Sequence, residues 1–346
     1  MSSPKPNNLV FKPATLSIPQ YCDICKKKKV FRCSRCHCAC YCSNTCQRND
    51  WLHKEVCKKF SESWNLLKER EALVKEVCGP HVLESNDDQY ADHPEGLNYA
   101  ATLMTFASEL RKYDSPESIK HSIQLHLTLH SSPWSRIYKA FVGIPSDFIA
   151  LGRDEEAYRF IKYHITGTIS EDHEDISENL PQSNWNLHHL VALTLIKFRY
   201  FDKCLKKEKF QESFLLGIHS RVGKQSPIQR LAGIPGVLEL IFNFYVGVGC
   251  FTYCRQYQRS QEISHQLHYL LSFFSNSSLS LFWYKLLDSE RILQKPCPQI
   301  ISGGGQQTRY YRLIESNWNS WKRNPNALTF VREWLLAREQ EKEKES

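Results

Sequence analysis

Nine of the fourteen cysteines of this 346-residue chain fall between Cys22 and Cys57, and with one histidine they give the order Cys22-x2-Cys25-x7-Cys33-x2-Cys36-x5-Cys42-x3-Cys46-x6-His53-x3-Cys57. Thiols and an imidazole in closely spaced pairs are metal-binding chemistry. The two side chains of a pair converge on one ion, and four pairs supply two tetrahedral sites. These eight ligands suit two zinc ions with no coordination position left for water, so the metal is expected to be structural and the segment to bind rather than catalyse. The segment is rich in Lys, poor in aliphatic residues and too short for a hydrophobic core of its own. Metal must hold it folded, at an apparent contribution of about 10–16 kcal/mol per ion at neutral pH. Cys38 and Cys40 complicate the set, because in an extended segment they share a face with Cys42 and compete for the same ion.

The residues between the ligands narrow the family. Arg32-Cys33-Ser34-Arg35-Cys36, then Tyr41-Cys42-Ser43, Cys46-Gln47, Asp50-Trp51 and His53-Lys54, closely resemble a MYND zinc finger, over about a tenth of the chain. The resemblance implies a cross-braced pairing, with Cys22, Cys25, Cys42 and Cys46 on one zinc and Cys33, Cys36, His53 and Cys57 on the other. Spacing alone also allows a sequential pairing. The family pattern favours Cys42 as the ligand, which leaves Cys38 and Cys40 as spare thiols. In this family the module recognises proteins, some fingers taking proline-containing peptides such as Pro-x-Leu-x-Pro along a short strand pair. Carried over, the partner-binding residues are Gln47 and Trp51, with Ser34 beside them. The chain departs from the family in one place: six residues rather than the usual seven separate Cys46 from His53, which is expected to alter the angle at which Trp51 is set.

The formal net charge of +8 is concentrated in the finger. Residues 22–59 carry ten Lys or Arg, including the run Lys26 to Lys29, against Asp23, Asp50 and Glu55, whereas residues 60–346 are close to neutral. Seven thiolates around two divalent ions offset about three of those charges, so the finger keeps roughly +4. A solvated basic loop is the plain reading of Lys26 to Lys29, a contact to an acidic partner the next, and nucleic-acid contact a further alternative. Met1 to Gln20 has no apolar segment of the kind that targets secretion, and reads as a disordered lead. An intracellular, reducing compartment in cytoplasm or nucleus is therefore expected, where cysteines at these spacings are metal ligands rather than disulfides.

Outside the finger the pattern is helical. Phe60, Trp64, Leu66, Leu67, Leu73, Val74 and Val77 recur at three and four residue steps until Cys78-Gly79-Pro80 stops them. Leu97 to Tyr113 follows, and Ser115-Pro116-Glu117 offers a cap, a first-position proline and an early acid for a helix to about His130. Ala150 to Tyr163 reads as a helix end, a turn at Leu151-Gly152 and a new helix with acids in its first turn. Asn186 to Leu205 is apolar on too many sides for a surface helix. Further helical patterns follow around 208–218, 226–232, 236–254, 257–274, 278–293, 308–321 and 326–341. No strand-like alternation is sustained outside the finger, so the fold class is a small cross-braced two-zinc finger followed by an all-α body of paired antiparallel helices. The division expected is a lead at 1–20, finger 22–57, first helical part 58–170, acidic linker 171–184 and second helical part 185–346. Gly236 to Cys254 is the most apolar stretch, but Glu239 and Asn243 interrupt it, so a buried helix and no membrane span is the reading.

Enzyme signatures are missing. One branch of the family joins the finger to a SET methyltransferase domain, but here only 21 residues precede Cys22, no Gly-x-Gly lies among them, and the body reads as helical rather than β. No nucleophile elbow, phosphate loop or His-Glu-x2-His pair occurs, and Gly303 to Gly305 lacks the lysine of a phosphate cradle. His126 and His130 stand one helical turn apart without an accompanying acid and read as surface residues. Trp185, Trp283, Trp318, Trp321 and Trp334 read as packing. The function expected is a zinc-dependent adaptor without catalytic residues: the finger captures a short peptide and the helical body serves as scaffold. A chromatin or nucleic-acid role through the basic loop is the alternative, and a SET-type lysine methyltransferase a disfavoured one.

Overall fold

The computed structural model describes residues 21–28, 30–84, 88–135, 140–166, 186–222, 261–273, 281–295 and 305–345. The expectations for the lead, for the acidic linker and for Gly236 to Cys254, and the packing of Trp185, fall outside the described residues. Among them the only sheet is a two-stranded antiparallel pair, β1 (Phe31–Arg32) and β2 (Cys40–Tyr41), with Phe31 opposite Tyr41 and Arg32 opposite Cys40. Everything else regular is helical, so the finger is followed by a helical body.

Two helices start inside the finger. α1 (Asn44–Asn49) is capped by Ser43, whose side chain accepts from the Cys46 amide. α2 (Trp51–Cys78) is capped by Asp50, whose carboxylate accepts from the His53 amide at 2.9 Å, and ends at Gly79 with φ 100°. The helix that carries the apolar periodicity read from Phe60 onward thus begins about two and a half turns earlier, and the expected boundary between residues 57 and 58 lies within one helix. α3 (Pro94–Tyr113) starts three residues before the expected Leu97, because Pro94 occupies its first turn behind His93. Asp114 closes it in a left-handed conformation (φ 61°), and Ser115 then opens α4 (Pro116–His130) with a capping box shared with Ser118.

α2, α3 and α4 share one core. Phe60, Leu67, Val74 and Cys78 of α2 pack with Tyr99, Leu103, Phe106 and Leu110 of α3 and with Leu125 and Leu129 of α4, and the buried residues of the finger belong to the same cluster. Phe106 meets Phe60 and Trp64 edge to face, with ring centroids 6.0 and 4.9 Å apart. α5 (Ile144–Ala150) and α6 (Asp154–Thr166) form the expected pair around Leu151 and Gly152, with Asp154, Glu155 and Glu156 in the first turn of α6. α7 (Leu187–Val222) runs well beyond the expected Leu205. Residues 261–273 form α8, followed by α9 (Phe282–Leu287), α10 (Ser289–Leu293), α11 (Gln306–Trp321) and α12 (Pro325–Glu345).

The chain separates into two compact units. One holds the described residues of 21–166, 186–192 and 284–345, the other those of 193–283. The C-terminal helices belong to the first unit because α11 is tied to α3 and α5. Arg111 pairs with the buried Asp147 at 2.7 Å and donates to the Ser316 carbonyl, Asn319 donates to the Arg111 carbonyl, and the hydroxyls of Ser146 and Ser320 meet at 2.9 Å. Burial pushes Asp147 up to about 6 against the pull of Arg111. In the second unit, Leu193, Leu195, Ile263, Leu267, Leu270 and Trp283 are buried, and Lys197 reaches Gln266 at 2.9 Å. Trp283 and Trp321 are buried and Trp318 and Trp334 half-buried, as packing residues.

His126 and His130 differ from the expectation of surface histidines. His126 is buried beside Ser122 and Asp147, and burial, then the charge of Arg111, pulls it down to about 3. His130 joins His164 and His189 in an aromatic group with Phe141 and Phe160, where its ring lies 5.0 Å from that of His164. Burial, then the neighbouring His189, lowers His164 to about 2, and its Nε2 has no hydrogen-bond partner. A group with a lowered folded value binds more protons when unfolded, so its contribution falls as pH drops below about 6.5. His164→Phe should therefore hold stability at pH 7 and flatten its decline toward about pH 4, read as urea midpoints across pH. Gly96 provides a packing test. A Cβ there would lie 2.0 Å from Cζ2 of the buried Trp134, whose Nε1 donates to the Tyr90 carbonyl at 3.0 Å. Gly96→Ala gains helix propensity of about 1 kcal/mol, but the overlap outweighs it, and a net loss on the order of 2 kcal/mol is expected in denaturant unfolding.

Candidate metal centre

Two turns of similar construction place the first and third cysteines of the motif beside their partners. The Lys26 amide donates to the Cys22 carbonyl and the His37 amide to the Cys33 carbonyl, both at 2.9 Å. Lys26 and His37 each take a positive φ, near 60°, which lets the chain fold back over the sulfur atoms. The remaining ligands come from the β2 end and the two finger helices: Cys42 follows β2, Cys46 lies in α1, and His53 and Cys57 are one turn apart in α2.

The ligand atoms gather as two groups of four, Cys22, Cys25, Cys42 and Cys46 in one and Cys33, Cys36, His53 and Cys57 in the other, each within 4.8 Å throughout. The pairing is cross-braced, which excludes the sequential alternative that spacing left open. In the first group Cys25 and Cys42 sulfurs are 3.3 Å apart, Cys42 and Cys46 3.6 Å, and Cys46 and Cys25 3.8 Å. In the second, Cys33 and Cys57 sulfurs lie 3.7 Å apart and Cys36 sulfur 3.6 Å from His53 Nε2. A tetrahedron with zinc–sulfur bonds of about 2.3 Å has sulfur–sulfur edges of about 3.8 Å, so both groups have the size that zinc requires. Four thiols, or three thiols and an imidazole, are also the donor types zinc prefers in closed sites.

The electrostatics of the ligands point the same way. Cys22 is drawn down to about 6: burial opposes its ionisation, but the backbone amides of Cys25, Cys42 and Ile24 outweigh it. Cys42 is pushed up to about 12 by the Cys25 sulfur and then burial, and Cys57 to about 12 by burial and the charge of Cys36. Crowded thiols cannot all ionise unless a cation sits among them. Zinc removes that conflict and displaces the protons, so binding weakens in acid.

Cys38 and Cys40 belong to neither group. Cys38 is fully buried with its thiol donating to the Cys36 carbonyl at 3.0 Å, and its amide lies 3.5 Å from the Cys36 sulfur. Cys40 sits in β2, its amide donates to Asp23 Oδ2 at 2.9 Å, and burial followed by the charges of Glu117 and Asp23 pushes it up to about 12. The profile of the MYND finger matches residues 22–57. Residues 22–57 are a MYND finger. No curated protein and no solved structure matches the chain. A MYND finger is a zinc-binding, non-catalytic interaction module, and its two sites here are consistent with two structural zinc ions.

Of the other residues singled out in the sequence, Ser34 is exposed, Gln47 half-buried, and Trp51 is 62% exposed at the first position of α2. With the shorter gap between Cys46 and His53, Trp51 stands in solvent. Several supporting residues were not foreseen. Asp50 caps α2 and also accepts from the hydroxyls of Tyr41 (3.0 Å) and Tyr113 (3.5 Å), and the rings of Tyr41 and Tyr113 flank His53. An Asp three residues before a ligand at a helix start was a legible cap signal. The part played by Tyr113, sixty residues on, was not.

Elemental analysis of the purified chain should find two zinc ions, and changing Cys38 and Cys40 together to Ser should leave both in place. Cys42→Ser should lose at least one. Two retained zincs in Cys42→Ser, with loss in the double variant, would move the ligand assignment onto the spare thiols.

Proposed function

We propose that the chain is a non-enzymatic adaptor whose MYND finger captures a short proline-containing peptide while the helical body serves as scaffold. Trp51 is the observation that carries the reading. It is not a metal ligand, it stands in water, and it is fixed by the helix that Asp50 caps. Leu52 and Phe31 are exposed as well, at 54% and 41%. Exposed aromatic residues on a rigid support are the commonest origin of concentrated binding energy, since their burial by a partner removes large apolar area from water at little entropic cost. The short β1–β2 pair supplies backbone for an added strand, with Gln47 and Ser34 as polar neighbours that select the peptide. Closed metal sites leave zinc with no catalytic position, which supports binding as the finger's role. Reduced thiols as ligands fit an intracellular setting.

The test uses a synthetic peptide of the Pro-x-Leu-x-Pro type and the full chain. Trp51→Ala should weaken binding by about 2 kcal/mol or more, roughly thirtyfold, with both zincs retained. Unchanged affinity would remove Trp51 from the recognition surface. A salt titration addresses the nucleic-acid alternative through the basic run Lys26 to Lys29: contacts to phosphate lose affinity steeply with salt, whereas an apolar groove does not.

A further inference from the structure

The two metal sites have different surroundings. Around the first, Cys25 is exposed, Cys42 and Cys46 are half-buried, and only Cys22 is enclosed. Around the second, Cys33, Cys36 and His53 are all buried, and side chains from outside the finger take the backbone of the knuckle in hand. Trp64 of α2 donates its Nε1–H to the Cys36 carbonyl at 3.1 Å. His121 of α4 places Nε2 3.2 Å from the His37 carbonyl. Ser115, the cap of α4, donates its hydroxyl to the Cys38 carbonyl at 2.9 Å. Three successive carbonyls of the second knuckle are thus partnered by the body, and the buried Glu117 meets Arg32 of β1 at 3.4 Å. Trp64 and His121 also pack edge to face, with centroids 5.5 Å apart.

We infer that the two zincs have separate tasks: the second is a structural staple of the α2–α4 core, held by Trp64, His121 and Ser115 as positioning residues, and the first can leave and return without unfolding that core. The covalent path supports the division. His53 and Cys57 are on α2 itself, so losing the second ion frees the buried His53 and the half-buried Cys57 at the head of the helix that carries Phe60, Leu67 and Val74. Losing the first frees Cys22, Cys25, Cys42 and Cys46, of which only Cys46 lies in a helix, the short α1. A chain that sheds one zinc this way keeps its scaffold while the first knuckle, with the exposed Tyr21 and Ile24, changes shape. The inference is independent of which ligand the finger takes.

The full chain, loaded with two zincs, is mixed with excess EDTA while a metallochromic dye reports released metal and far-ultraviolet circular dichroism reports helix. Two phases of one zinc each are expected, the second slower by roughly tenfold or more, with helix lost only in the second. Cys25→Ser should hold one zinc and the helix content of the unaltered chain. Trp64→Phe keeps the ring against Phe106 and removes only the Nε1 donor. It should speed the second phase roughly fivefold, the worth of one hydrogen bond, and leave the first phase unchanged. Release of both zincs in one phase, helix loss accompanying the first zinc, or equal acceleration of both phases in Trp64→Phe would each overturn the inference.

Discussion

One helical stripe joins the metal to the core. His53, Cys57, Phe60, Trp64, Leu67, Val74 and Cys78 follow one another along α2 at steps of three, four or seven residues, so all face the same side. The first two are zinc ligands and the others pack against α3 and α4. A helix cannot rotate one part of its stripe without the other. Coordination at its head therefore fixes the face that builds the core, and core packing fixes the angle at which the imidazole and thiol meet their partners. The finger gains support that its own few apolar residues do not provide, and the body gains an ion whose binding energy exceeds that of any single packed side chain.

Polar groups complete the junction. Asp50 accepts from the amide of the ligand His53 in the first turn of α2 and takes up two tyrosine hydroxyls. The two tyrosines it holds pack their rings against the imidazole of His53, with centroids 5.7 and 5.8 Å away, and so limit the orientations the ligating ring can take. Tyr113 reaches Asp50 from the end of α3, and the next residue, Asp114, meets Lys322 and Arg323 after α11. The turn between α3 and α4 is thus held on one side by the finger and on the other by the C-terminal helices.

With its ligands closed and its second site enclosed, the finger keeps its chemistry inward and offers partners its shape. Among the apolar residues left outside, Trp51 and Leu52 at the start of α2 and Phe31 on β1 are rigid because the elements bearing them are capped or paired. Preorganised apolar groups lose little freedom when a ligand covers them, which is the condition for affinity from a small surface.

The eight ligands, once the family pattern singles out Cys42, the capacity for two zinc ions and the helical class of the body were legible in the sequence by itself, because each rests on local spacing: closely spaced knuckle pairs, caps such as Ser115-Pro116, and apolar residues at helical period. The start of α2 was blurred only because its first turns carry ligands where an apolar pattern looks for Leu or Val. The cross-braced pairing, which spacing left open and the family resemblance implied, is what the tertiary structure shows; tertiary structure alone decided the enclosure of Cys38 and Cys40, the burial of His126 and the packing of His130 among aromatic rings. It also decided the return of the described residues of 284–345 to the first unit. Those features depend on contacts between residues far apart in the chain, such as Ser115 with Cys38 or Arg111 with Ser316. Periodicity shows that a residue faces a neighbour, but which neighbour is set by how the helices pack, and that choice is not written in any single segment.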